Sequence, residues 1–388
     1  MAHEAKFTIV VGGHLCLDFI PGFPRVGGGQ DWFRPGRLSI VNAPIISTGG
    51  AVSNVGIALH RMGIPVRLAA RIGNDPLGRL IVDSISANSP DLVRDLRRVD
   101  GEASSYTVVL NPPEIDRIFF HCPGTNDTFT DADVPDSLLD EAALFHFGYP
   151  PLMEKIWSDG GAALGRLLAR ARARGAITSL DMSLPDPKSP SGKIDWDAYL
   201  SAVLPDVDLF VPSIEELLYC IDRPQFDRRA ALGGGEAIIT SISLRDVAVL
   251  AERALERGPA VILIKLGHRG AYLRCGSRGL PGLERWRDRE LYTPVFKVPS
   301  PLWTTGSGDA TAAGFLASVV RGLSPEDALT MAVASGGCCV EAPDATSGIR
   351  PWEETRSRVK DGWKHAQARV EEKGWRAAGA LWRGPADC

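Results

Sequence analysis

Short apolar runs alternate along most of this chain with longer stretches in which apolar residues recur every three or four positions. The first pattern reads as buried strand and the second as amphipathic helix. Residues 7–11, 66–70, 143–147, 177–180, 208–211 and 260–265 predict strands. Between them, Val55, Ala58, Leu59 and Met62 mark one helix stopped by Gly63, and residues 164–174 mark another stopped by Gly175. Residues 244–257 predict a third helix, and Pro212-Ser213-Ile214-Glu215-Glu216 opens a fourth. Repeated strand–helix units of this length predict an α/β fold, a central mostly parallel sheet with helices on both faces.

Two segments break the alternation. Residues 20–45 are rich in Gly, Pro and Arg and have no helical period, whereas 103–122 contain Tyr106-Thr107-Val108-Val109-Leu110, a Pro-Pro turn and Ile118-Phe119-Phe120, which reads as a hairpin. Together they predict a small β flap, or lid, over the sheet edge. Gly233-Gly234-Gly235 reads as a flexible loop. Residues 351–388 are charged and carry Trp352, Trp363, Trp375 and Trp382. They read as a helical extension to a main domain at 1–350, with basic residues on solvated faces and tryptophans as packing anchors.

Composition narrows the class. A net charge of −4 gives no electrostatic reason to expect nucleic acid. No apolar run reaches the roughly 20 residues of a membrane helix, and no secretory pattern opens the chain. Seven scattered cysteines without a CxxC pair argue against a disulfide framework or a zinc site. The expected compartment is the reducing cytoplasm.

The chemistry concentrates in Trp303-Thr304-Thr305-Gly306-Ser307-Gly308-Asp309, a glycine-rich turn running into an apolar helix. The first amides of a helix lack internal partners and carry partial positive charge. Glycines there let the backbone approach a ligand, so Gly306, Ser307 and Gly308 form a cradle for an oxyanion or phosphate. Asp309 at its lip is either a base for phosphoryl transfer or a simple helix cap. Asp18 follows a strand and two glycines, at the carboxyl edge where open α/β sheets hold ligands. Gly49-Gly50 puts further amides near a helix start, and Asn54 one turn in either presents its amide to a polyol or faces solvent. His121 can touch a substrate hydroxyl or simply pack.

Taken together, these motifs resemble those of the ribokinase-like, PfkB-type carbohydrate kinases over roughly residues 7–345. Thr304 to Asp309 is similar to that family's C-terminal signature, and Gly49-Gly50, Asn54, Gly73-Asn74-Asp75 and Gly78 to its N-terminal one. Pro123-Gly124-Thr125-Asn126 is similar to its GAN element, and Lys265-Leu266-Gly267 with Gly270 to its nucleotide-side turn. The resemblance implies transfer of the ATP γ-phosphoryl group to a hydroxyl of a sugar or related polyol. It implies Asp309 as general base and the Gly306, Ser307 and Gly308 amides as anion hole. Asp18, Gly49, Gly50, Asn54 and Asn126 would bind the acceptor. Lys265, Gly267, Gly270 and Thr305 would lie by the nucleotide, and Glu216 would hold Mg²⁺ through water. A homodimer formed through the lid is the expected assembly.

Departures from the family pattern carry their own expectations. Trp303 stands where the family has an Asp tied to a monovalent-cation site, so potassium activation is not expected. Ser213 replaces the Asn that usually partners the acid at 216. Cys16 and Ala51 replace the Asn and Lys of ribose-specific members. Arg25, Arg34 or Arg117 can supply a basic pocket for a phosphorylated sugar if the flap faces inward. Phe19, Phe23 and Trp32 are available to stack a base, as a nucleoside kinase of this fold would need. A catalytically silent sugar-binding relative is the remaining alternative.

Overall fold

The structure, a computed structural model, describes residues 7–24, 32–114, 118–368 and 370–387. Its strands in chain order are β1 (Thr8–Gly13), β2 (Cys16–Gly22), β3 (Asn42–Gly49), β4 (Val66–Ala69), β5 (Arg71–Gly73), β6 (Arg97–Val99), β7 (Tyr106–Leu110) and β8 (Ile118–Cys122). They continue with β9 (Ala142–Gly148), β10 (Ile177–Asp181), β11 (Leu209–Phe210), β12 (Val261–Lys265), β13 (Ala271–Cys275), β14 (Glu290–Thr293), β15 (Arg376–Ala378) and β16 (Leu381–Arg383). The main sheet has the order β15-β16-β14-β13-β12-β11-β10-β9-β1-β4. From β12 to β4 every pairing is parallel, whereas β13, β14, β16 and β15 add on antiparallel.

Both faces of the sheet are buried, which explains why its strands read as unbroken apolar runs. Ile9 and Val11 on β1 and Leu263 on β12 join one core with Val55, Leu59 and Phe315. Their neighbours Val10, Ile262 and Ile264 point to the other, with Leu164, Leu168 and Leu250. The helices Ala51–Arg61 and Ser307–Val320 thus share one face, and Ala162–Ala173 and Leu244–Leu255 the other.

A separate four-stranded sheet, β3-β2-β7-β8, covers the segments set apart by composition. Its register places Ser47, Asp18, Thr107 and His121 in one row across the four strands. One position on, Ile46, Phe19, Val108 and Phe120 form a second row. Because side chains alternate faces along a strand, the two rows point to opposite faces, and the polar row shares its face with the apolar row Ile45, Ile20, Val109 and Phe119.

Two expectations give way. Residues 351–388 are not a helical appendage: after the helix Trp352–Lys360 the chain returns as β15 and β16, and Tyr292 on β14 pairs with Trp382. Trp375 packs near Tyr272 and Tyr292, and Asp387 accepts from Arg289 Nε at 2.8 Å, so the tail is bound to the sheet edge. The tryptophans do act as packing anchors. The glycine run at 233–235 is not a loop either, since Gly233 caps the helix Gly234–Ser241. The six described cysteines are free, and Cys388 lies outside the described residues. Among the described residues no helix is long and apolar enough to cross a membrane.

Candidate active site

The chain leaves the main sheet at the ends of β1 and β9, where the His14 amide donates to the Gly148 carbonyl at 3.2 Å. A cavity of about 560 Å³ opens there, lined on one side by Ser47, Asp18, Thr107 and His121 of the small sheet's polar row. His14, Gly50, Asn54, Tyr149, Trp303 and Thr305 line the other side.

Two glycines make this floor. A Cβ on Gly49 would sit 2.3 Å from the Asp18 carboxylate, and one on Gly50 2.5 Å from His14 Nδ1. Gly50 also has φ of 89°, a conformation that side chains rarely adopt. Burial pushes the Asp18 carboxyl up to about 6, against hydrogen bonds from Cys16 and Thr107. His14 is pushed down to about 3 by burial first and His121 second, so the imidazole is neutral at physiological pH. Its Nε2 lies 3.4 Å from His121 Nε2, while its buried Nδ1 has no partner. His121 Nδ1 is 3.0 Å from Thr107 Oγ1. This expected site residue therefore belongs to a polar chain and is not a lone packed side chain.

Behind Asn54 and Tyr149 lies Asp309, only 3 % exposed. It sits in the first turn of the helix Ser307–Val320, whose N-cap is Gly306 in the left-handed region (φ 87°) with no side chain capping it. The amides of Gly308 and Asp309, one and two positions into the helix, are left without an intrahelical partner. The Ser307 amide is not part of that open set, because it turns back and donates to the Thr304 carbonyl at 3.2 Å. Nor does Asp309 cap its own helix: Oδ2 accepts from Asn54 Nδ2 at 2.9 Å and Oδ1 from the Tyr149 hydroxyl at 2.7 Å. Burial raises its carboxyl above the ordinary range, opposed by those two hydrogen bonds and by Lys265.

Lys265, at the end of β12, reaches under the same turn. A Cβ on Gly308 would lie 3.7 Å from its Nζ. Nζ donates to both Asp181 oxygens at 2.8 and 2.7 Å. Burial pushes the ammonium down, but Asp181, then Glu216 and Asp309, hold it above its usual value. The buried Asp181 and Asp309 and the half-buried Glu216 thus lie around one cation, and desolvation lifts both Asp181 and Glu216. Glu216 is not left without a partner by Ser213: the two form a capping box, Glu216 Oε2 accepting from the Ser213 amide at 2.6 Å and Ser213 Oγ from the Glu216 amide at 3.2 Å.

Other expected residues fall elsewhere. Asn126 does not line the cavity: its Oδ1 accepts from the Leu15 amide at 3.2 Å and its Nδ2 donates to the Leu15 carbonyl at 3.0 Å, so it braces the backbone beneath the site. Gly267 and Gly270 form the β12–β13 turn outside the cavity, packed against Ile239 and the Thr293 carbonyl. Phe23 and Trp32 meet edge to face at 5.2 Å, and neither they nor Phe19 lines the cavity. Arg34 is exposed and does not line it; Arg25 and Arg117 lie outside the described residues. His14 and Tyr149 are among the cavity residues that sequence reasoning missed, with Thr107, Asp186 and Asp344. The local signal for His14 and Tyr149 was slight, a polar residue just after a strand that ends in glycine.

Comparison with known proteins places this geometry in a family. The family model described as pfkB family carbohydrate kinase matches residues 10–352. The chain is 24 % identical to the probable fructokinase-7 of Arabidopsis thaliana over 83 % of this chain and 81 % of that one. It is 25 % identical to the 2-dehydro-3-deoxygluconokinase of Bacillus subtilis over 84 % of this chain and 88 % of that one. Among solved structures, fructokinase with bound ATP from Xylella fastidiosa superposes with a TM-score of 0.69 at 19 % identity, over 92 % of this chain and 99 % of that one. Arabidopsis thaliana ribokinase complexed with ribose and ATP superposes with a TM-score of 0.68 at 17 % identity, over 91 % and 98 %. These likenesses show a ribokinase-like fold, and the family match over most of the chain shows that this protein belongs to the pfkB family of carbohydrate kinases.

Proposed function

We propose that this protein transfers the γ-phosphoryl group of ATP to a hydroxyl of an uncommitted sugar or sugar-like polyol, with Asp309 as general base. One observation carries the reading: open helix amides, the Lys265 ammonium and the buried Asp309 carboxylate converge beside a cavity whose largely apolar lining carries one polar row, Ser47, Asp18, Thr107 and His121. The acceptor hydroxyl loses its proton to Asp309 as its oxygen attacks the γ-phosphorus, and the bond to the β-phosphate oxygen breaks to leave ADP. Amides and ammonium facing the transferred group stabilise charge that grows in the transition state. Asp18, Asn54 and the Gly50 backbone bind the other hydroxyls, and the Gly267–Gly270 turn flanks the nucleotide. The named relatives are themselves sugar kinases, which supports this reading.

Mg²⁺ fits the donor set in a limited way. Among the described residues no cluster of three or more His, Cys, Asp or Glu could hold a metal alone. One Glu216 oxygen is spent on the Ser213 amide, leaving the other for a metal-bound water. This suits an ion held mainly by phosphates and water, which when bound neutralises charge between the phosphates.

The small sheet acts as the lid in this reading, excluding water that would compete as acceptor. The apolar row on its other face, with Phe19, Ile46 and Phe120 at 37, 44 and 58 % exposure, suits a second copy of the chain. An ADP-release screen over sugars, polyols, phosphosugars and nucleosides, with Asp309→Asn as control, tests the proposal. Turnover of a sugar or polyol that falls by orders of magnitude in the variant is expected. Undiminished turnover in Asp309→Asn removes the base assignment. Nucleoside turnover assigns the other acceptor class, and saturable sugar binding without turnover marks a sensor.

A further inference from the structure

Tyr149 has no role in the reading above, yet the chain is bent to place it. It follows β9 directly, and its φ of 67° puts a side chain with a Cβ in the left-handed region. The bend is held on both sides: the Tyr149 amide donates to the Asp181 carbonyl at 3.2 Å, and its carbonyl accepts from the Leu152 amide at 3.1 Å. Two prolines, Pro150 and Pro151, come between. The ring passes beside His14, with centroids 6.2 Å apart, and the hydroxyl ends on Asp309 Oδ1.

We propose that Tyr149 is the positioning residue for Asp309, orienting its carboxylate toward the cavity and keeping it ionised. The proposal rests on Asp309 being the base. Strained backbone held by its surroundings recurs where a functional group must be aimed. The direct donors to this carboxylate are Tyr149 on Oδ1 and Asn54 on Oδ2. The cation nearby, Lys265, donates to both Asp181 oxygens and not to Asp309. The other titratable groups facing Asp309 are Asp181 from β10 and Cys339 from the helix Pro325–Cys339, and neither helps it ionise. Against full burial, the phenol is therefore the leading influence that favours the anion. Burial also holds the Tyr149 hydroxyl far above its ordinary range, so it remains a donor. A carboxylate oxygen has two lone pairs, so Oδ1 can accept from Tyr149 and from an incoming hydroxyl together.

The test is Tyr149→Phe, which keeps the ring and removes the donor. The titration of Asp309 is followed by NMR in protein labelled with ¹³Cγ-aspartate, its signal identified by its loss in Asp309→Asn. Removing a hydrogen bond to a charged group is expected to strengthen proton binding at Asp309 about tenfold or more. The acid limb of kcat/KM in the ADP-release assay moves up in pH by the same factor, with near-normal rates recovered at higher pH. A merely structural role would lower rates at every pH and leave the titration in place. An unchanged Asp309 midpoint in Tyr149→Phe, with folding verified by circular dichroism, overturns the proposal while the base assignment stands. Full turnover in Asp309→Asn overturns the base assignment, and Tyr149's positioning role with it.

Discussion

Glycines 306 and 308 stand two residues apart in the same turn, yet the structure predicts opposite consequences for replacing them with alanine. At Gly306, φ is 87° and a Cβ would lie 2.4 Å from the Ala345 Cβ and 2.7 Å from its Cα. Ala345 has no flexible side chain to swing away. A left-handed conformation costs a residue with Cβ about 1–2 kcal/mol, and overpacking about 1–3 kcal/mol more. Together they amount to about 2–5 kcal/mol, which for a chain of this size lowers Tm by about 3–6 °C. At Gly308 a Cβ would meet only Lys265 Cδ and Nζ, at an ordinary 3.7 Å, and the position is already helical. Alanine there is favoured over glycine by about 0.5–1 kcal/mol, so Gly308→Ala should melt no lower than the parent. Its methyl group, however, would stand between the open amides and the ammonium, where the transferred phosphate is proposed to bind. Loss of one charge-assisted hydrogen bond costs about tenfold or more in kcat/KM for ATP. Calorimetry and ADP-release kinetics on the two variants separate the effects. Unchanged ATP kinetics in Gly308→Ala would move the phosphate elsewhere. An unaltered melt in Gly306→Ala would refute the Ala345 contact.

Further expectations follow from the buried charges. Lys265→Met leaves the fully buried Asp181 without its cation, a loss of about 3–5 kcal/mol, and adding Asp181→Asn should recover part of the lost Tm in a melting series. Both Asp18 and Asp309 have raised carboxyls, and in the proposed reaction each works as an anion, so their contributions to turnover should be present above their folded pKa values and fade as pH falls through them. With Asp18 at about 6, the KM for the acceptor should rise between pH 7 and 5, and an Asp18→Asn variant should show a raised but pH-independent KM over that window. Exchanging sodium for potassium should change the rate little, because the Trp303 side chain offers no carboxylate to the cation; strong activation would point to another ligand.

The fold was largely legible because it depends on local periodicity. Strands buried on both faces read as apolar runs, and capped amphipathic helices read as such between them. The helix start at 306–309 was legible for the same reason, since its glycines mark it locally, although the Ser307 amide turns back to Thr304. What escaped depends on distant partners. Tyr149 and Asp309 are 160 positions apart, and nothing near Tyr149 announces the contact. Asn126 was an expected ligand through the likeness of residues 123–126 to a family element, but its amide is engaged with the Leu15 backbone, 111 positions away. The same blindness hid β15 and β16, short strands that exist only because β14 offers an edge. Ser213 shows the converse: it departs from the family pattern, yet its backbone amide donates to the Glu216 carboxylate and its hydroxyl accepts from the Glu216 amide in an ordinary capping box.

The position of the nucleotide's terminal phosphate decides the proposed mechanism most directly. A crystal structure with a non-hydrolysable ATP analogue reads this directly. The γ-phosphate is predicted to accept from the Gly308 and Asp309 amides beside Lys265 Nζ, with the Asp309 carboxylate facing the acceptor cavity. A γ-phosphate bound away from that turn, with those amides closed off by a protein group, would contradict it.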